Sequence, residues 1–459
     1  MELNEQANPA AAKLPVLEKV SYAFTDMAGN LLYVSMSSYI LYFYTDVFNI
    51  PVSGAGMIIL LASIVDAGSA IFWGSIVDHT HTRWGQSRPY FLWLSIPFAI
   101  GTLLAFSAPN LHGTAKLLYA GFTYILAAGV IYTGIQTTIT AILPNLTLDA
   151  GERIGANSYR IVGSLIGSFL TSTFTLPLVA LLGNGNNKRG FTLTISLFGI
   201  VAAALLLLAF KNVRERVPVS KKSVSFKNSL KATVGNVPWY LLVSAFAIFW
   251  IAQADRNSFS TYYAKYNLGN AQLASVFNGL QVLGIISSIS IPFVVKITNK
   301  TATMLIGLAI GAAGQALMAV VSGNFVLVII AWSIGVIGSS FAMSMPFAML
   351  ADTVDYGEWK SGYRAPGFLT AVGSAFCIQL GSGFGSFIPS KILAAAGFVA
   401  HRTQTAQASS AISFSFIWLP VIIYAVVAAI MVFYFKYERM ENQIKSDLLE
   451  RADKREAAE

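Results

Sequence analysis

The residues able to hold a charge or exchange a proton outside the polar loops are few, and they sit within long apolar runs. Asp26 lies in the first run, and Asn30 follows one turn later on the same helical face. Counted from the start of the run at about 1.5 Å per residue, Asn30 reaches roughly a third to half of the way across a bilayer. Asp66 falls near the middle of the second run, within Ile64-Val65-Asp66-Ala67-Gly68-Ser69. A carboxylate at that depth costs roughly 2.5–3.5 kcal/mol on insertion scales, so it requires a partner, water or a function. It can bind a small cation, or be protonated in one state and ionised in another. This coupling reading is preferred over the structural alternative, a hydrogen bond to a neighbouring helix.

Gln136 and Gln379 occupy corresponding depths in the fourth and eleventh runs. A glutamine amide donates and accepts together, which suits the paired hydroxyls of a sugar, although such glutamines more often make packing contacts between helices. Arg160 opens the fifth run beside Tyr159. It can snorkel to the membrane surface or turn inward as a forked donor to substrate hydroxyls, and the sequence leaves both open. Asp255 and Arg256, adjacent in the seventh run, read as a self-satisfied ion pair.

Catalysis is not expected, because no nucleophile with a base, metal cluster or phosphate cradle is visible. His79, His81, His112 and His401 all fall in loops, and His79-Thr80-His81 reads as a solvated loop rather than a metal site. A single cysteine, Cys377, rules out a disulfide within the chain. No cofactor and no resident metal are expected.

The elements that must carry these residues follow from composition. The 459 residues are 55% hydrophobic and only 11% charged, with mean hydropathy +0.63, too little charge to cover a water-exposed globule. Apolar runs at 20–46, 54–77, 88–107, 115–142, 157–182, 190–211, 237–264, 273–296, 303–320, 324–351, 367–396 and 411–436 predict an all-α polytopic membrane protein of twelve transmembrane helices. The expected organisation is a cytoplasmic tail (1–19), a six-helix bundle (20–211), a basic cytoplasmic linker (212–236), a second six-helix bundle (237–436) and a cytoplasmic tail (437–459). The first nineteen residues have no cleavable-signal pattern. With both termini inside, Lys and Arg collect in the even-numbered gaps, at Arg83/Arg88, Arg153/Arg160, Lys296/Lys300 and Lys360/Arg364. The net charge of +9 is therefore a topology signal and not a nucleic-acid surface.

The halves also echo one another. Leu143-Pro144-Asn145-Leu146-Thr147-Leu148-Asp149-Ala150-Gly151-Glu152-Arg153 follows the fourth run, and an acidic-then-basic turn from Leu350 to Lys360 follows the tenth. Parallel halves of this kind are expected of the major-facilitator architecture, with a substrate site near the midplane where they meet.

Three segments carry a resemblance: Tyr44-Thr45-Asp46-Val47, the stretch Asp78 to Pro89 (DHTHTRWGQSRP), and Asp352 to Lys360 (DTVDYGEWK) with Arg364. In these the chain resembles the glycoside-pentoside-hexuronide cation symporters of the major facilitator superfamily, the family of melibiose permease. Through Ser344 to Asp352 and Phe414 to Pro420 it is similar to the pentoside and xyloside carriers of lactic acid bacteria. The resemblance implies uptake of a xylose-containing disaccharide or similar glycoside across the inner membrane, with glucuronides and galactosides as nearby options.

Carried over by position, it puts Asn30 where the family has a sugar-binding aspartate and matches Arg160 to a sugar-site arginine. Asp66 matches the first of two cation-binding aspartates, and Thr133 a threonine near the cation site. The second aspartate falls on Ala70 and the asparagine before it on Ser69, which favours a proton over sodium as coupling ion. A sugar-site aspartate becomes Gln136, the lysine facing it becomes Gln379, and a tryptophan becomes Thr140. The implied substrate set is Asp26, Asn30, Gln136, Arg160 and Gln379, with Asp66 and Thr133 for coupling. Asp78, Arg83, Arg153, Asp355 and Arg364 are expected to form a cytoplasmic gate. The expected partners are a sugar and membrane lipids, with the protein a monomer. An uncoupled glycoside exchanger, or an exporter of amphipathic compounds or lipids, are the alternatives.

Overall fold

The computed structural model describes residues 13–147, 149–217, 233–321, 323–362 and 366–456. Most of the expected central linker and the first twelve residues lie outside these, as does Arg364. The elements are α1 (Val16–Tyr42), α2 (Val52–Asp78), α3 (Ser95–Ala105), α4 (Gly113–Leu146), α5 (Ala150–Gly183) and α6 (Asn187–Asn212). They continue with α7 (Val237–Asn267), α8 (273–297), α9 (Lys300–Val320), α10 (Phe325–Ser361), α11 (Phe368–Ala395), α12 (Ala406–Glu438) and α13 (Glu441–Glu456).

Among the described residues nine helices are long and apolar enough to cross a membrane: α2, α4, α5, α6, α7, α9, α10, α11 and α12. The other three expected runs are helical but polar or interrupted, and each has a local cause. The helix α1 carries Glu18, Lys19, Asp26 and several serines along its 27 residues. The run 88–107 breaks at Leu94 into Pro89–Trp93 and α3. In α8 a 3₁₀ turn, Leu280–Val282, precedes a segment that contains Pro292.

Two compact units emerge from the packing. The first comprises 1–221 with 257–279 and 386–409, and the second comprises 222–256, 280–385 and 410–459. Small residues let backbones approach inside both, the usual device of helices packed in lipid. In the second unit Gly307, Gly311 and Gly314 of α9 lie against Gly335 and Gly338 of α10.

In the first unit a Cβ on Gly163 would strike the Ala23 carbonyl, and one on Gly167 the Met27 carbonyl. This contact seats α5 on α1 and sets the distance between the polar residues that alternate with those glycines. Gly163→Val is therefore expected to destabilise the protein by about 1–3 kcal/mol through overpacking and to draw Arg160 off Asp26. A detergent melting curve with an unshifted midpoint would contradict this.

Asp46, in the π-helical turn Phe43–Val47 that ends α1, is also enclosed within the first unit. Lys265 Nζ lies 2.5 Å from its Oδ1, the Tyr266 hydroxyl donates to the same oxygen, and Thr45 Oγ1 donates to Oδ2 at 2.7 Å. Each of its oxygens has a partner, which is what makes a buried carboxylate tolerable.

Candidate functional site

The face of α1 carrying Asp26 and Asn30 meets a matching polar face on α5. Arg160, Ser164 and Ser168 recur every four residues there, interleaved with the two packing glycines. Arg160 turns inward: its Nη1 lies 2.7 Å from Asp26 Oδ2, and its Nε donates to Asn157 Oδ1 at 2.9 Å. Asn30 Nδ2 donates to Ser164 Oγ at 2.9 Å and to the Asp26 carbonyl at 2.9 Å, while Ser168 Oγ donates to Asn30 Oδ1 at 3.2 Å. The pair is nearly dry, with side-chain exposures of 19% for Arg160 and 6% for Asp26. Arg160 Nη2 makes no hydrogen bond to a described residue. The serines and Asn157 escaped the sequence reading, although the four-residue spacing from Arg160 was a usable signal.

Asp66 is buried on α2 and faces Thr133 of α4, whose hydroxyl donates to its Oδ1. The close approach is made possible by Gly129, where a Cβ would lie 3.0 Å from the Ala62 carbonyl. Thr133 Oγ1 also stands 3.1 Å from the Gly129 carbonyl. A π-helical stretch, Ile125–Tyr132, ends just before Thr133 and so resets the register of the inner part of α4. Ser69 directs its hydroxyl to the Asp66 and Gly129 carbonyls and not to the carboxylate. One turn beyond Thr133, Gln136 has a buried Oε1 with no hydrogen-bond partner among the described residues. Tyr132 stacks on Tyr33 with ring centroids 4.3 Å apart, one turn from Asn30 on α1.

In the second unit Gln379 is half-buried on α11, with no hydrogen bond to a described residue. The expected ion pair of Asp255 with Arg256 is not what α7 forms. Neighbouring residues on a helix point about 100° apart, and Arg256 Nη1 instead reaches Gln253 Oε1 (3.0 Å), Ser339 Oγ (2.9 Å) and the Tyr424 hydroxyl (3.1 Å). The Asp255 carboxyl oxygens receive no hydrogen bond from a described residue.

The expected gate residues that are described lie in loops and near helix ends of their own units. Asp78 is exposed and without an ion pair among the described residues, and Arg83 lies over the Trp84 ring at 4.7 Å. Arg153 donates to the Thr147 and Pro144 carbonyls at the end of α4, and Asp355 lines a small cleft with Asp352, Tyr356 and Tyr437. Among the described residues, ion pairs near these loops include Lys19–Glu152 (2.8 Å), Arg216–Glu18 (2.7 Å), Lys300–Asp352 (2.6 Å) and Lys300–Glu441 (3.0 Å).

A family model described as MFS/sugar transport protein matches residues 21–439. The chain belongs to that family. The transporter is 37% identical over 441 residues to the isoprimeverose transporter of Lactiplantibacillus pentosus, covering 95% of this chain and 91% of that one. It is 30% identical over 439 residues to the inner membrane symporter YicJ of Escherichia coli strain K12, covering 92% of each. Its fold matches a solved point mutant of the nucleoside transporter NupG with TM-score 0.68 at 13% identity, over 90% of this chain and 99% of that one. The transporter is thus a multi-pass membrane protein that moves a solute and not an enzyme.

Proposed function

We propose that this transporter takes up a neutral, xylose-containing glycoside together with a proton across the cytoplasmic membrane, with both termini inside. The relative named for isoprimeverose supports the sugar class. The polar groups fit it: Arg160 Nη2 has no partner among the described residues, and neither has the buried Gln136 Oε1, for which a sugar hydroxyl is a suitable donor.

The observation that carries the proton assignment is the environment of Asp66. It has one hydroxyl partner, while Ala70 offers no oxygen and Ser69 is turned to carbonyls. That leaves a single carboxylate with no second acid beside it among the described residues, an arrangement that suits a proton switch. With Asp66 ionised, Thr133 donates to it; with Asp66 protonated, the carboxyl donates to Thr133, whose own hydrogen moves to the Gly129 carbonyl. Each state is satisfied, so the carboxyl can load and unload without a stranded polar group. Alternating access then carries the two solutes together.

Binding to the purified protein tests the substrate class, using isoprimeverose, a simple xyloside, a glucuronide and a lipophilic cation. Saturable binding of the xylosides is expected. Saturation by the lipophilic cation alone would overturn the reading in favour of an amphipath exporter.

A further inference from the structure

Gln253 sits half-buried on α7 with its side-chain orientation fixed from behind. Its Oε1 accepts from Arg256 Nη1 at 3.0 Å and from the Tyr424 hydroxyl at 2.9 Å. A guanidinium only donates, so the amide oxygen must face this cluster and the NH₂ must face away. Rotating the amide would set two donors against a buried arginine. The cluster is itself pinned, because Arg256 bonds Ser339 and lies over the Trp332 ring at 4.3 Å. The Gln253 NH₂ makes no hydrogen bond to a described residue. Gln315 of the same unit provides a contrast for the donor alone: its NH₂ donates to the Phe416 carbonyl, while its buried Oε1 receives no hydrogen bond from a described residue. A polar donor left open within a membrane helix is costly unless used.

We propose that Gln253 is a sugar-binding residue of the second unit. Its amide hydrogens are donated to a hydroxyl or ring oxygen of the glycoside, and Arg256, Tyr424 and Ser339 act as positioning residues. The assignment rests on the glycoside reading above and adds a contact that Gln379, which lacks such a brace, does not offer. Preorganisation is the physical gain: the amide need not be ordered when the sugar arrives.

The test measures affinity of the full-length protein for a xyloside and its monodeoxy analogues. Gln253→Ala is expected to weaken binding of the parent about tenfold, the worth of one good hydrogen bond. The analogue lacking the contacted oxygen should bind the wild type about tenfold weaker and lose nothing further in the variant. Gln253→Glu keeps an acceptor for Arg256 and Tyr424 but removes the donor, so it should show the same loss with an unaltered melting curve. Tyr424→Phe loosens one brace and should weaken the same contact only, leaving the affected analogue as it was. Wild-type affinity in both Gln253→Ala and Gln253→Glu, or an identical loss with every analogue, would overturn the assignment. Should the wild type bind no glycoside at all, the substrate reading falls and this assignment with it; should it bind and the variants match it, only the assignment falls.

Discussion

In proteoliposomes Asp66→Asn is expected to exchange labelled glycoside at close to the wild-type rate and yet fail to accumulate it when the lumen is made alkaline. Counterflow needs the sugar site and the conformational change, and neither uses the charge on Asp66. Accumulation needs a group that is protonated on one side and released on the other, and asparagine cannot serve. With one proton per sugar, each unit of pH gradient supports about a tenfold gradient of sugar, since one unit is worth about 1.36 kcal/mol. The variant's ratio should therefore fall to unity. Asparagine still accepts from Thr133, so the helix contact between α2 and α4 survives and the loss is specific to coupling. Uphill accumulation in Asp66→Asn would assign Asp66 a structural role. Thr133→Val should give a milder version, with slower proton-driven uptake and intact counterflow.

Arg160→Gln is expected to be among the most damaging single substitutions in the first unit. It strands Asp26 in a nearly dry site, and breaking such a pair costs about 3–5 kcal/mol. The double variant Asp26→Asn, Arg160→Gln removes both charges and should recover most of that stability, because Asn30 and the serines remain to satisfy the amides. Glycoside binding should stay at least about tenfold weaker, because a ligand hydrogen bond from a charged donor is worth roughly 1.5–3 kcal/mol. Melting curves and binding isotherms on the four proteins of the cycle separate the two effects. A double variant that binds like the wild type would remove Arg160 from the sugar site.

The residues of this site were legible to different degrees. Asp26 and Asn30 were readable because a four-residue spacing within one helix fixes a shared face, and Asp66 because nothing near it in sequence could neutralise it. Whether Arg160 pointed in or out was not readable: the answer depends on α5 lying against α1 through Gly163 and Gly167, a contact across more than a hundred residues. The pairing of Asp255 with Arg256 was misread for the converse reason. Adjacency in sequence is separation around a helix, and the partners of Arg256 come from one turn back on α7 and from α10 and α12. Asp46 stood out only as part of a family marker, although its partner Lys265 lies 219 residues away. Of the fold, the apolar runs placed the helices well. What they could not show were the break at Leu94 and the 3₁₀ turn in α8, because the overall apolarity of a run does not mark where its backbone bends.

The most direct test of a glycoside–proton symporter is the pH of the lumen when sugar is added. Wild-type proteoliposomes carrying an internal pH dye, without sodium and with potassium and valinomycin clamping the membrane potential, should acidify on addition of a xyloside and stay unchanged on addition of a sugar that does not bind. Glycoside entry with no change of internal pH, or entry that begins only when sodium is supplied, would contradict the account.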